Sequence, residues 1–227
     1  MKRSKLILGI VIILMLSQLV NGQNRVGIIG GLNSASMELK INAETPDISK
    51  KSLIGIGGIV DFKLSEGLYL SLEPMYLKKG ADAVSVDQPG VTFILKLSYL
   101  EIPVLLKKEF GNKLKPYIAV GPVLGYNLNA DVEVELSGIV LKGDMKNIIK
   151  PFDFGLAFGG GLSYPVGKSS IFIECKYTIG LSNIEKGGSV EISSGPLSET
   201  LTTDPSDKTK NKGLQVMVGV TFPFGGN

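Results

Sequence analysis

The chain contains no histidine, a single cysteine and, beyond residue 22, no uninterrupted apolar run of 18 residues. Without an imidazole, neither Ser-His-Asp nor Cys-His nucleophilic catalysis can be assembled. His-containing zinc sites are excluded, and one thiolate cannot complete a cysteine site. Carboxylate-only catalysis, as in an aspartic protease, is left open. Cys175 has no partner for an intramolecular disulfide. It sits among apolar positions and reads as a small hydrophobe. Without long apolar runs, helical membrane spans are excluded. Basic patches with interleaved aromatics are also missing, so no nucleic-acid partner is expected. These absences point to a protein that is not an enzyme and carries no cofactor or metal.

The N-terminus has a recognisable address pattern. Lys2, Arg3 and Lys5 precede an apolar run from Leu6 to Leu16, and Val20-Asn21-Gly22 offers a cleavage site before Gln23. This pattern predicts a secretory signal peptide over residues 1–22. The rival reading is an uncleaved anchor. No cysteine lies near the cut, which argues against a lipoprotein. The leader holds three of the 24 basic residues and no acidic one, so removing it leaves 21 of each sign. The precursor's basic character therefore says nothing about partners. Residues 23–227 have the length of one domain.

That domain is dominated by a two-residue rhythm. In Ser170–Leu181 the apolar positions are Ile171, Ile173, Cys175, Tyr177, Ile179 and Leu181, alternating with Phe172, Glu174, Lys176, Thr178 and Gly180. Strands place successive side chains on opposite faces, so one face is greasy and the other mostly polar. The pattern recurs near residues 25–35, 53–64, 68–78, 92–107, 116–128, 152–164 and 214–224. Strands of about 9–11 residues, apolar outside and polar inside, are the signature of a membrane barrel. The connections alternate too. Those near 65–67, 108–115 and 165–169 are short, whereas those near 36–52, 79–91, 129–151 and 182–212 are long. Short periplasmic turns and long external loops produce that asymmetry. The expectation is an all-β, closed, antiparallel, up-and-down transmembrane barrel of eight strands in the outer membrane, with both termini periplasmic and lipid as its surroundings.

Some local features need more than the rhythm. In strand four the apolar phase changes: Phe93, Leu95 and Leu97 are odd, while Leu100, Ile102, Val104 and Leu106 are even. A one-residue slip reverses every side chain, so a β-bulge near Ser98-Tyr99 is expected. The alternative is that the outer half of this strand stands above the membrane. Val132, Val134, Leu136, Ile139 and Leu141 predict a hairpin extending strands five and six beyond the bilayer, not two more spans. The fourth long loop, rich in Ser, Thr, Lys and Asp, reads as mobile. Gly55-Ile56-Gly57-Gly58 and Gly159-Gly160-Gly161 open no amphipathic helix. They read as room for bulky inward neighbours rather than a phosphate loop.

The candidate site is a set of inward charges: Arg25, Asp61, Lys63, Glu73, Lys96, Glu101, Asp153, Glu174 and Lys176. Five acids and four bases nearly cancel. An eight-stranded barrel is about wide enough to be filled by its own side chains, and buried charges must pair. The set therefore reads as a lumen plug, with an ion-lined pore as the alternative.

Four segments carry a family resemblance: Gly27-Ile28-Ile29-Gly30-Gly31-Leu32-Asn33, Tyr99-Leu100-Glu101-Ile102-Pro103-Val104-Leu105-Leu106-Lys107, Pro116-Tyr117-Ile118-Ala119-Val120-Gly121-Pro122 and Asp153-Phe154-Gly155-Leu156. Together they resemble the PorT-like outer-membrane barrels of Bacteroidetes, across essentially the whole domain. The resemblance implies a barrel protein; one named member is associated with protein secretion and gliding machinery. Barrels often end on an aromatic residue read by the assembly machinery. Here Gly225-Gly226-Asn227 follow Phe224, which is the residue expected to serve. The functions to separate are loop presentation for binding or envelope assembly, a narrow channel or small-solute transporter, and a lipid-modifying enzyme.

Overall fold

A computed structural model describes residues 23–40, 48–84, 91–136, 138–203 and 208–225. The expected signal peptide, residues 1–22, lies outside the described residues. Twelve strands form one antiparallel sheet: β1 (Asn24–Lys40), β2 (Ile48–Ser65), β3 (Leu68–Leu72), β4 (Met75–Val84), β5 (Val91–Glu109), β6 (Lys115–Leu136), β7 (Ile139–Asp144), β8 (Phe152–Val166), β9 (Ser169–Gly180), β10 (Gly188–Ser194), β11 (Leu197–Thr203) and β12 (Lys208–Phe224).

Eight staves close into a ring. β3 and β4 continue one register against β5, and against β2 from Lys63 as far as Gly55, and form a single stave. Pro74 separates them, because it has no N–H to give the ladder. Its carbonyl still accepts from the Gly58 amide at 2.9 Å. The ring runs β1, β2, β3/β4, β5, β6, β8, β9, β12 and returns to β1. The closing pair matches Asn24 with Phe224 and continues to Lys40 with Lys208. Short turns follow β2, β5 and β8. Each needs a left-handed residue, supplied by Gly67 (φ 64°), Gly111 (φ 78°) and Gly167 (φ 62°). All long connections emerge at the opposite end.

The outer face carries a continuous apolar belt, including Ile28, Ile56, Leu100, Ile118, Phe154, Phe158, Ile173 and Val218. Cys175 also faces outward. Inside, bulky residues lie opposite glycines across the strands: Ile29 opposite Gly57 and Gly219, Met217 opposite Gly31, Leu77 opposite Gly55, Tyr117 opposite Gly161, and Lys176 opposite Gly159. This is the role expected of the glycine clusters.

Two local expectations need correction. β5 holds one phase throughout: Leu97, Tyr99, Glu101, Leu105 and Lys107 all face inward. The register does slip at Ser98/Tyr99, but the extra residue belongs to β6. Ser98 pairs with Asn129 and Tyr99 with Asn127, which leaves Leu128 unpaired. Beyond this bulge the inward face of β6 moves from odd to even positions, Ala130, Val132 and Val134. The apolar phase in β5 changes because its surroundings change. Below the bulge apolar residues face outward. Above it they turn inward, onto the hydrophobic clusters of the long-loop end. The structure thus matches the alternative, in which the outer half stands beyond the belt. The second correction concerns the loops. The hairpin expected over Val132–Leu141 is present, with β6 pairing to β7, a short strand separate from β8; the fourth loop, read as a solvated connection, instead contains a second hairpin, β10–β11. That hairpin touches β7 through Ser193 and Lys142.

A Cβ at inward Gly121 would lie 2.0 Å from the Val104 carbonyl oxygen, whereas at outward Gly58 it would meet only the Gly27 carbonyl at 3.7 Å. Gly121→Ala is therefore expected to lower folding stability by about 1–3 kcal/mol or to abolish folding. Gly58→Ala should fold like the parent. Urea unfolding in micelles, read by gel mobility, checks both.

Candidate functional site: the filled lumen

The inward positions of the ring bring most of the expected charges together, in three layers. At the short-turn end, Arg25 donates to both oxygens of Glu109 at 2.6 and 2.9 Å and to the Tyr69 hydroxyl at 2.5 Å. Asp61 lies 4.0 Å from Arg25 and 3.2 Å from the Lys107 ammonium. In the middle, Lys107 sits over the Tyr117 ring, 4.3 Å from its centroid. The Tyr117 hydroxyl donates to Glu174 at 3.1 Å. Lys176 bridges Glu174 at 3.0 Å and Glu73, which also accepts from Ser71 at 3.2 Å. Toward the long-loop end, Lys79 pairs with Glu101 at 2.5 Å, and Gln215 donates to the other oxygen of Glu101 at 3.2 Å. Asp153 accepts from Asn211 and Ser182, both at 2.7 Å.

An apolar cluster runs through the same space: Ile29, Ile59, Met75, Leu77, Tyr117, Phe172 and Met217 are all buried. The lumen is therefore packed with side chains rather than lined by them. A vestibule of about 1130 Å³ opens at the short-turn end.

Seven of the nine expected charges, Arg25, Asp61, Glu73, Glu101, Asp153, Glu174 and Lys176, face this interior. Lys63 is half-buried at the vestibule. Lys96 does not belong to the set. Its side chain is on the outer face of β5, where it pairs with Glu133 at 2.5 Å, with Lys142 3.6 Å from the same carboxylate. These three residues lie beyond the Leu128 bulge. The hydrogen bond from Lys96 holds the Glu133 carboxyl below its ordinary range.

Lys79, Lys107 and Glu109 complete the pairs and were not in the expected set. The signal that finds them is parity. Counting by twos from Glu73 reaches Lys79, and counting from Glu101 reaches Lys107 and Glu109. The same count puts Lys96 outside; only an assumed bulge within β5 brought it in. Among the described residues, no group of three or more His, Cys, Asp or Glu side chains is placed to hold a metal ion.

A closed antiparallel ring of eight staves, greasy outside and ion-paired inside, defines an integral membrane β-barrel. Residues 17–186 match the family described as "outer membrane protein beta-barrel domain", and the chain belongs to that family. OprG from Pseudomonas aeruginosa is similar in fold, with a TM-score of 0.52, 14% identity, and 92% of this chain and 99% of that one covered. A major outer membrane protein from Thermus thermophilus gives a TM-score of 0.55 at 11% identity, covering 89% and 100%. At such identities the likeness is one of fold alone. No curated protein matches the sequence. Family and fold together assign the chain to the outer membrane.

Removing one member of a buried pair leaves the other charge without compensation. Glu101→Ala is expected to strand the Lys79 ammonium and cost about 3 kcal/mol. Lys79→Met combined with Glu101→Leu should recover most of that loss. Denaturant midpoints of the folded band on a gel measure both.

Proposed function

We propose that the protein is a non-enzymatic, closed outer-membrane barrel whose lumen charges form a plug and whose long-loop end is its working surface, in a binding or envelope-assembly role. The observation that carries this reading is the interior. Charged pairs and the apolar cluster from Ile29 to Met217 fill the ring across its width. A solute would have to break several buried pairs at once to pass, each at a cost of several kcal/mol. The long-loop end, by contrast, carries shaped structure: β6 runs past the belt, β7 pairs with it, and the β10–β11 hairpin rests on β7. Binding residues are disproportionately found on loops held by a rigid scaffold.

Orientation follows from the even number of staves. Both chain ends of the ring lie with the short turns, which this reading places in the periplasm, and the long loops face outward from the cell. Phe224, exposed at the last position of β12, is the aromatic residue offered to the barrel-assembly machinery. The finer placement among PorT-like barrels, with its association with secretion, rests on the Tyr99–Lys107 and Pro116–Pro122 segments.

Planar-bilayer recording tests the plug. The parent chain is expected to give no discrete current steps. A double variant that empties the middle layer, Lys176→Ala with Glu73→Ala, should admit ions if it folds. Regular single-channel steps from the parent would establish the channel reading instead.

A further inference from the structure

The charge balance of the interior reverses at the short-turn mouth. Deeper in, Asp61, Glu73, Glu101, Asp153 and Glu174 outnumber Lys79, Lys107 and Lys176. The vestibule wall instead carries five cationic side chains, Arg25, Lys63, Lys108, Lys115 and Lys168, against two carboxylates, Glu66 and Glu109. Arg25 is committed to Glu109 at 2.6 and 2.9 Å, and the Lys108 ammonium donates to the Glu66 backbone carbonyl at 2.9 Å. Lys63, Lys115 and Lys168 have no ion-pair partner among the described residues.

Strand position places these three lysines around the mouth. Lys63 on β2 lies cross-strand from Tyr69, and Lys115 on β6 from Ser163; both partners are buried inside the ring. Residues directly opposite on a ladder share a face, so both lysines belong to the inner face, and both are half-buried. Lys168 lies in the turn that joins β8 to β9. In ring order Lys63 stands three staves from Lys115, and Lys168 caps the next two. The free ammonium groups are thus spread over separate sectors of the ring. Beneath them the Arg25–Glu109 and Lys107–Asp61 pairs close the floor. A ligand drawn into the mouth stops there.

Charge gives the sign of the occupant, and shape gives its kind. Uncompensated ammonium groups around a recess with low-dielectric walls focus a positive potential into it. At about 1130 Å³ the vestibule exceeds the range of about 300–1,000 Å³ usual for small-molecule sites and has room for a segment of chain. A lone phosphate or carboxylate could not reach cations on separate sectors at once. The wall is also partly apolar: Phe110, Pro165 and Pro223 line it, and Phe110 is 46% exposed. A bare polyphosphate has nothing to set against those groups, whereas a peptide has. The ring itself stands between the vestibule and the bilayer, so a phospholipid headgroup would have to leave its leaflet to enter.

We propose that the short-turn vestibule docks an extended acidic peptide segment of another protein, its carboxylates pairing with Lys63, Lys115 and Lys168 and its apolar side chains resting on Phe110, Pro165 and Pro223. Solvated pairs of this kind are individually weak, so affinity requires several at once and falls steeply with salt. Such charges act mainly by steering the encounter and fixing the register of the bound segment. The orientation proposed above turns this mouth to the periplasm and makes the partner a periplasmic one; the charge complementarity does not depend on that orientation. The site lies at the end opposite the long loops and is a second surface of the barrel.

The refolded full chain in nonionic detergent provides the test. Fluorescence anisotropy follows a dye-labelled peptide of alternating Glu and Ser, with a Gln-Ser peptide as its uncharged twin; calorimetry follows inorganic tripolyphosphate. The Glu-Ser peptide is expected to bind saturably at low salt and to lose affinity as salt rises toward about 0.15 M, while the Gln-Ser peptide does not bind. Lys63→Gln, Lys115→Gln and Lys168→Gln together should weaken binding about tenfold. The same charge change among exposed lysines toward the long-loop end, Lys78→Gln, Lys146→Gln and Lys186→Gln, should leave it unaltered. Replacing the three mouth lysines by Glu should transfer binding to a Lys-Ser peptide, a gain that a misfolded variant cannot show. A parent chain without saturable binding of the Glu-Ser peptide overturns the site, as does equal loss from the two Gln triples. Binding of tripolyphosphate with none of the peptide overturns it in favour of a phosphate ligand.

Discussion

Hydrocarbon offers nothing for a backbone amide to hydrogen-bond with, so a sheet in lipid must have no edge. The seam between the first and last strands meets that demand. β1 and β12 pair over the full length of β1, from Asn24 opposite Phe224 to Lys40 opposite Lys208. With eight staves the ring is narrow, and side chains converge on its axis. Inward volume then becomes the scarce quantity, and each bulky residue must face a small one across the ladder. Ile29 against Gly57 and Gly219, and Tyr117 against Gly161, express that constraint. Closure thus dictates both the apolar outside and the glycine-spaced inside.

The same closure explains why charge can be kept in the lumen. Six carboxylates and four cationic groups sit within a shell of backbone and apolar side chains, where an unpaired charge costs several kcal/mol. Pairing is staged by strand position. Arg25 on β1 meets Glu109 on β5, Lys107 on β5 meets Asp61 on β2, and Lys176 on β9 meets Glu73 between β3 and β4. Each pair joins staves that are not neighbours. The network therefore braces the ring across its diameter, a direction that the ladder hydrogen bonds do not reach. Tyr69, Tyr99 and Tyr117 add both bulk and a hydroxyl at these crossings, as amphipathic rings do where one end must be dry.

The number of strands, their order, the facing of nearly every side chain within the belt and the alternation of loop lengths were legible in the residues alone. Period-two patterning is a local signal, and lipid on one side keeps it clean. Legibility failed where lipid stops. Beyond Leu128 the outward residues need not be apolar, so β1, β2, β6 and β12 run further than their alternation implied. The phase change in β5 was visible but was assigned to the wrong strand, because a sequence shows hydrophobicity and not its partner. Lys96 was misplaced for that reason. Lys79, Lys107 and Glu109 were recoverable by strict parity from Glu73 and Glu101. They lie at or beyond the ends that the apolar alternation gives their strands. The pairings themselves, such as Lys176 with Glu73 over a separation of 103 residues, are set by closure and have no local trace.

The bulge at Leu128 links these observations. An extra residue in one strand of an antiparallel pair flips every later side chain. Here the flip falls where the surroundings change from lipid on the outside to packed protein on the inside. Below it, Leu124 and Tyr126 face outward. Above it, Val132 and Val134 face inward, onto Leu141, Ile148, Val190 and Ile192. Without the bulge, those valines would continue outward on the face where Lys96, Glu133 and Lys142 now meet. β7 and the β10–β11 hairpin would then have no apolar surface to pack against. A single inserted residue thus turns one long strand from a membrane stave into the spine of a second, smaller core. That core ties β6, β7 and the β10–β11 hairpin together beyond the belt, through apolar burial that a set of solvated loops would not provide.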